Sequence, residues 1–515
     1  MGELVQIAPQ ARPIVKQDDF WVLAEAACYL RGRGVTFGPP ILQAGAINPG
    51  VYSIPVALQK STGVAAQDTD LSIFADGSLD HVLISPMLAA VQDPRKILSQ
   101  AAAKLKLGGH LVLLTSLTKI SPEHHEFVPH LTLALLKEVA HWKLKCDQIE
   151  NGKHLLILKR VEGRRGIDLP TPRTRPQACV ARYGALGDAI IMTPLIRKLS
   201  EEGFDVTLNV SSYCAPVFEN NPHISNLLIQ ERDLIPNGML GRYWQHWEKR
   251  YDKYVNLSES LEGDLLLVEG RPPFFTSKEW RHKQCNRNYY DYTMERGGYG
   301  EVTGTRGELF FTEAEERRAR KFFTPLQDKF TLVWALNGSS HHKVYPMMET
   351  VLREWFRTHE DARVITVGDY AARLLEFPHF QMIPQAGKWS IRESLISTKY
   401  AQCVVGPETM ITNAAGCFST PKIVLLSHST RENLTKYFLN DHSLEPDTTV
   451  APCYPCHQLH YSKESCPVGE MQDTVTGGVM GQAPICSIAI APEVLMAELD
   501  KVYNEWKSTN RGASA

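Results

Sequence analysis

Four stretches of this chain carry side chains whose types and spacing suit chemistry. The segment RYGALGD (182–188) sets Gly184 and Gly187 before Asp188, between an apolar run, Cys179-Val180-Ala181, and a helical pattern ending near Glu202. A loop at the carboxyl end of a buried strand exposes backbone N–H groups that favour anions. The pattern reads either as such a ligand loop or as a plain turn with Asp188 as a helix-start carboxylate. The segment GSSHHK (338–343) offers the hydroxyls of Ser339 and Ser340 and the ammonium of Lys343. Together with backbone N–H groups these suit a pyrophosphate, although alone they describe only a polar loop with a lysine. A third loop, Gly406 to Thr409, joins an apolar run to the helical segment MITNAAG. The fourth stretch is Cys453-x2-Cys456-x9-Cys466-x19-Cys486. Four thiolates fit a tetrahedral ion, zinc or iron by ligand softness, and buried free cysteines are the alternative. His457 and His460 lie nearby, but four cysteines already complete a tetrahedron.

The first three stretches need a scaffold of strands that end in loops, and the hydrophobic pattern supplies one. Residues 179–210 read as a β-loop-α-β unit, with Gly203 stopping the helix and Val206 to Val210 alternating as the second strand. Further on, Thr331 to Ala335, RVITVGD (363–369), Cys403 to Val405 and Lys422 to Leu426 read as strands. Loops delivered to one edge of such a sheet make a nucleotide crevice. Between these regions, residues 261–304 are irregular and rich in aromatics and arginines, suited to stacking on an acceptor or to a satellite core. The final helix, Pro492 to Trp506, is amphipathic.

Residues 1–160 form a separate α/β unit. Its clearest part has a strand at Leu79 to Ile84, a helix from Pro94 to Leu105 ending at Gly108-Gly109, a strand at His110 to Leu114 and a closing strand at Lys153 to Lys159. Residues 161–176, with three prolines and four arginines, read as a linker. Residues 177–325 and 326–515 follow as two further domains, the second including the four-cysteine segment 453–486.

At 515 residues the chain exceeds a single core. Its net charge of −2 leaves no global basic field for nucleic acid. No apolar run reaches the roughly 20 residues of a membrane span, and no basic, then apolar, leader opens the sequence. Eleven cysteines without a leader point to reduced thiols or a metal site and to a cytoplasmic location.

RYGALGDAIIMTPLIRKL resembles the N-terminal signature of the heptosyltransferase-like glycosyltransferases of family 9. GSSHHKVYP is similar to that family's donor-phosphate segment, and GPETMITNAAG to its GPDTG-x-x-HLAA loop. Here Glu408 stands for the usual aspartate, Met410 for the loop glycine and Asn413 for the histidine. CYPCHQLHYSKESC with Cys486, preceded by SHSTRENLT, resembles the iron finger of the autotransporter heptosyltransferase branch, where four cysteines hold one structural iron. The first 160 residues resemble the second half of class I methyltransferases. Their first half departs from that family: Thr36 and Phe37 precede the glycines, and Pro39-Pro40 removes two backbone donors from the loop.

These resemblances imply an α/β chain: a degenerate methyltransferase-like Rossmann domain, then the two Rossmann-like domains of a GT-B glycosyltransferase with a four-cysteine metal finger. In glycosyltransferases of this type the final helix crosses back to the first half. Asp188 is implied as the base that deprotonates an acceptor hydroxyl. Gly187, Thr193, Ser339, Ser340, Lys343, Gly406, Glu408, Thr409 and Asn413 are implied as donor contacts. The expected substrate is a nucleotide diphosphate sugar, heptose by analogy, with a glycan or protein acceptor. One structural iron or zinc at Cys453, Cys456, Cys466 and Cys486 is expected, and no S-adenosylmethionine. A homo-oligomer is left open. A non-catalytic Rossmann-type binding protein, or a glycosyltransferase acting on lipopolysaccharide or modified DNA bases, are the alternatives.

Overall fold

The computed structural model describes residues 20–30, 32–37, 51–54, 71, 74–84, 93–117, 129–170, 174–230, 235, 237–258, 279, 282, 285–300, 304–457, 466–472 and 478–513. The chain forms two compact units, Met1–Arg175 with Leu228–Arg250, and Pro176–Leu227 with Tyr251–Ala515.

The first unit is built on seven strands: β1 (Gly34–Phe37), β2 (Val51–Ile54), β3 (Leu79–Ile84), β4 (Leu105–Ser116), β5 (His141–Glu150), β6 (Lys153–Arg160) and β7 (Gly166–Asp168). Their order is β2-β1-β3-β4-β6-β5-β7. The β1–β4 part is parallel, and β6 runs antiparallel to both β4 and β5. Val82, Ile84, Leu111, Leu113, Leu156 and Leu158 share a core with Leu98 and Ala101 of the helix Pro94–Lys104. Asp93 caps that helix by accepting the Lys96 N–H, and Pro94 fills its first position. The helix stops at Lys104, and Gly108 and Gly109 lie inside β4 rather than before it. Leu79 pairs with Leu105 but His81 with His110, so the extra residues bulge there. A side chain at Gly109 would come within 3.0 Å of the Asp80 and Lys106 carbonyl oxygens, which is why glycine occupies the bulge. The stretch read as a linker contains β7, paired in parallel with β5. The loop after β1, on which the methyl-donor reading rests, falls on residues 38–50, outside the described residues.

The second unit carries two parallel sheets, so the α/β class and the pair of Rossmann-like halves read from the sequence are present. The first has β8 (Gln177–Arg182), β9 (Asp205–Val210) and β11 (Lys253–Asn256), with β8 pairing in parallel with β9 and β11, while β10 (Asn226–Ile229) straddles the division at Leu228. The second has β12 (Phe330–Ala335), β13 (Ala362–Val367), β14 (Met382–Pro384), β15 (Cys403–Pro407) and β16 (Lys422–Leu425), in the order β14-β13-β12-β15-β16. All its pairings are parallel. β12 is buried along its whole length, as its continuous apolar run FTLVWA requires of a central parallel strand. Leu332 and Trp334 pack on one face with Leu352 and Trp355, and Val333 and Ala335 on the other with Val404 and Ile411. The final helix runs Pro492–Ala513. It sets Leu495, Leu499, Val502 and Tyr503 into the second sheet's core, and Tyr503 donates to Asp361 at 2.7 Å.

The two halves are clamped by Arg392. Its guanidinium reaches Glu315 (2.7 Å) and the carbonyl oxygens of Phe310 (2.7 Å) and Pro216 (3.1 Å). Residues 261–278, the first part of the expected aromatic loop, lie outside the described residues. Among the described residues no helix is long and apolar enough to cross a membrane.

Candidate active site

β8 is buried from Ala178 to Ala181 and ends at Arg182, after which the chain turns into a short helix, Leu186–Ile191. Asp188 sits in the first turn of that helix. Its Oδ2 accepts the Ala185 N–H at 2.7 Å, and its Oδ1 pairs with Arg182 Nη2 at 2.6 Å. Arg182 also donates to the carbonyl oxygens of Gly184 (2.9 Å) and Leu257 (2.8 Å). One guanidinium therefore fixes strand end, loop and carboxylate together. A carboxylate has about four acceptor positions, so two remain for a ligand. Gly187 packs closely here: a side chain there would sit 2.8 Å from Asn413 Nδ2 and displace it. Glycine lets this helix lie against the helix Met410–Gly416 of the other half.

The opposing wall comes from the carboxyl ends of β12 and β15, neighbours in the second sheet and the place where such sheets hold ligands. After β12 the chain runs through Asn337, Gly338 and Ser339 into a turn in which Lys343 N–H donates to Ser340 O at 2.9 Å. Gly338 lies against the Lys343 stem, where a Cβ would meet Lys343 Cβ at 2.7 Å. Lys343 is only 7% exposed. After β15, Thr409 caps the helix Met410–Gly416 by accepting the Ile411 N–H at 3.2 Å, which leaves its hydroxyl proton to donate. Asn413 Nδ2 donates to Thr409 O at 2.9 Å, and its Oδ1 is buried with no hydrogen-bond partner among the described residues.

Between these walls lies a cavity of about 550 Å³, lined by Gly187 and Asp188 from the first half and by Ser339, Lys343, Glu408, Thr409 and Asn413 from the second. That volume suits a nucleotide-sized ligand. Tyr213, Asn337, Asp369, Tyr370, Trp389, His428 and Ser429 also line it. None of these seven is among the implied site residues. Asp369 alone carries a sequence signal, as the residue after Gly368 at the end of a strand, and its Oδ1 accepts the Ala372 N–H at 2.8 Å. Tyr213 and Trp389 carry no comparable pattern.

Four of the implied donor contacts stand elsewhere or act differently. Thr193 is fully buried outside the cavity: its hydroxyl donates to Ile190 O (2.7 Å) and accepts from Glu308 N–H (2.8 Å), tying a helix to the following segment. Gly406 belongs to β15, where a Cβ would lie 2.6 Å from that of Ala335, so its role is strand packing. Ser340 is buried behind the turn and does not line the cavity. Glu408 lines the cavity, yet its oxygens are engaged by Ser427 (N–H at 3.1 Å, hydroxyl at 2.8 Å), Ser429 (N–H at 3.2 Å, hydroxyl at 2.8 Å) and the His428 ring. Burial opposes its charge, but His428, Lys343 and the Ser427 N–H outweigh burial and hold its pKa well below the usual carboxylate range. An ionised carboxylate cannot donate to a phosphate. Glu408 organises the 427–429 loop instead.

Downstream, Val468–Gln472 (β17) and Val479–Pro484 (β18) pair as an antiparallel hairpin inside the cysteine-rich segment. Cys466 and Cys486 are hydrogen-bonded to each other, and Cys456 lies close enough to act on Cys486 by charge. The bond to Cys486 draws the Cys466 thiol down, while that bond and burial push Cys486 up. Cys486 also packs with Ala451, Tyr454 and Ala489. Among the described residues no group of three or more His, Cys, Asp or Glu side chains is arranged to hold an ion. Two of the four cysteines thus lie together, with a third nearby.

No protein-family model and no curated protein sequence matches this chain. Among solved structures, it is similar to the ADP-heptose LPS heptosyltransferase II of E. coli, at 14% identity over 64% of this chain and 99% of that one, with a TM-score of 0.44. It is similar also to a family 9 glycosyl transferase from Veillonella parvula, at 12% identity over 64% and 97%, with a TM-score of 0.45. A third is the dodecameric iron-containing heptosyltransferase TibC of E. coli, at 9% identity over 70% and 88%, with a TM-score of 0.41.

Proposed function

We propose that the chain is an inverting glycosyltransferase that moves a sugar from a nucleotide diphosphate sugar to an acceptor hydroxyl. The observation that carries this reading is that Asp188 from one Rossmann-like half and Lys343 from the other line a single cavity. Asp188 takes the proton of the acceptor hydroxyl as its oxygen attacks the anomeric carbon from the face opposite the diphosphate. The bond between that carbon and the diphosphate oxygen breaks, and negative charge grows on the leaving group. The Lys343 ammonium and the Ser339 and Thr409 hydroxyls stabilise that charge in a site already organised to meet it. Asn413 lines the same wall beside the bound donor. Heptose and an ADP carrier, with a glycan or protein acceptor, are the preferred identities by the motif resemblance.

The cysteine-rich segment holds one iron or zinc in this reading, through Cys453, Cys456, Cys466 and Cys486. The ion supplies folding free energy and takes no part in transfer. The first unit binds no S-adenosylmethionine and serves in packing, oligomerisation or acceptor docking. Titration with ADP by calorimetry, followed by a transfer assay with ADP-heptose, tests the reading. ADP binding without turnover of any nucleotide sugar would reduce the protein to a binding module.

A further inference from the structure

The 427–429 loop of the cavity wall is held from two sides. Glu408 engages its N–H groups and hydroxyls, as described above. Its carbonyl oxygens are taken by the cysteine-rich segment. Tyr454 Oη donates to Ser429 O at 3.0 Å, sharing its one proton with Glu445 Oε1, and His457 N–H donates to His428 O at 2.9 Å. The Tyr454 hydroxyl also lies 3.1 Å from Glu445 Oε1, which accepts the Arg431 N–H at 3.0 Å, so the tyrosine is fixed at its tip. Its ring is 8% exposed and packs with Cys486. Both donors come from residues interleaved with Cys453 and Cys456. A continuous chain of packed and hydrogen-bonded groups therefore runs from the cysteines through residues 428 and 429 to the cavity beside Lys343 and Thr409.

We infer that Tyr454 is a positioning residue for the donor cavity, and that ligand binding there is coupled to the state of the cysteine segment 453–457. The inference rests on the cavity being a nucleoside diphosphate site. Moving the segment, by loss of an ion or by reaction of its thiols, withdraws two hydrogen bonds from the wall and lets the 427–429 loop relax. Binding linkage is reciprocal, so a ligand that needs the wall in place also steadies the segment.

The test is amide hydrogen exchange of the full-length protein with and without ADP, together with calorimetric ADP titration of wild type and Tyr454→Phe. The substitution keeps the ring and its packing and removes only the donor. ADP should slow exchange in peptides spanning 451–457 by about fivefold or more in wild type. Tyr454→Phe should weaken ADP about twofold to tenfold, raise the donor KM more than it lowers kcat, and diminish the protection. The wild-type measurement needs no variant to fold. ADP that binds without altering exchange at 451–457 overturns the coupling, as does Tyr454→Phe with wild-type affinity and protection. Absence of ADP binding refutes the cavity reading itself, a separate outcome.

Discussion

Replacing Asp188 with asparagine separates the catalytic role from the structural one. The asparagine oxygen can still accept the Ala185 N–H, but its amide group would face Arg182 with donors instead of a charge. The broken pair is mostly buried, with 12% and 19% of the Arg182 and Asp188 side chains exposed. Arg182 keeps the Gly184 and Leu257 carbonyl oxygens, so it is not left without partners. The structural cost should then be about 1–3 kcal/mol. At roughly 2–4 °C per kcal/mol for a domain of this size, the melting temperature falls by several degrees and the protein stays folded at 25 °C. Loss of a general base costs about 10²–10⁴ in rate, or roughly 3–5 kcal/mol of barrier. Asp188→Asn should therefore bind ADP within about threefold of wild type, because Asp188 faces the acceptor, while transfer falls by two to four decades. The assay is initial transfer rate at saturating donor, set beside calorimetric ADP affinity on the same preparation. Transfer within threefold of wild type by a variant of unchanged ADP affinity would remove Asp188 from the mechanism. Equal losses in both would assign it to holding the loop.

Four further outcomes follow from the same geometry. Lys343→Ala should weaken ADP about tenfold to a hundredfold and also slow transfer, since a charge-assisted contact is worth about 1.5–3 kcal/mol and strengthens as the leaving group gains charge; unchanged ADP affinity by calorimetry would contradict this. Gly187→Ala should impair ADP binding more than thermal stability, because its Cβ displaces Asn413 inside the cavity; a melting scan beside a titration decides it. Glu315 has its pKa lowered to about 2, chiefly by the Arg392 hydrogen bond. Its clamp is fully stabilising above its ordinary value near 4.5 and is lost as pH falls from there through about 2, so Glu315→Gln should flatten the acid side of a stability–pH profile in that window. Cys456→Ser should lower both metal content, about one ion per chain by elemental analysis, and soluble yield; metal-free wild-type protein that is folded and active would refute the metal proposal.

Strand order along the chain was legible because parallel strands buried on both faces leave continuous apolar runs, as in FTLVWA and CVV. The loops that carry Asp188 and Lys343 were legible for a related reason, since a loop that follows such a run leaves the sheet at its carboxyl edge, and motif resemblance singled out the two residues within them. The roles of the glycines were not. Gly187 serves close approach to Asn413, a partner distant along the chain, and Gly338 lets its loop fold back onto the Lys343 stem, whereas Gly406 sits inside a strand against Ala335. Thr193 and Glu408 show a second limit. Both lie in or beside motifs, yet their polar atoms are spent on Glu308 and on residues 427–429, partners that only the folded chain reveals. Gly108-Gly109 was read as a helix stop because glycine pairs usually end helices, but a bulge in β4 uses the same residues.

The most direct test of the central claim is to follow nucleotide sugars by ³¹P nuclear magnetic resonance in the presence of the full-length protein, beginning with ADP-heptose. Free nucleoside diphosphate should appear from at least one donor in wild type, by transfer or slow hydrolysis, and its release should be slowed by about 10²–10⁴ in Asp188→Asn. A wild-type protein that binds ADP tightly yet leaves every nucleotide sugar intact would contradict it.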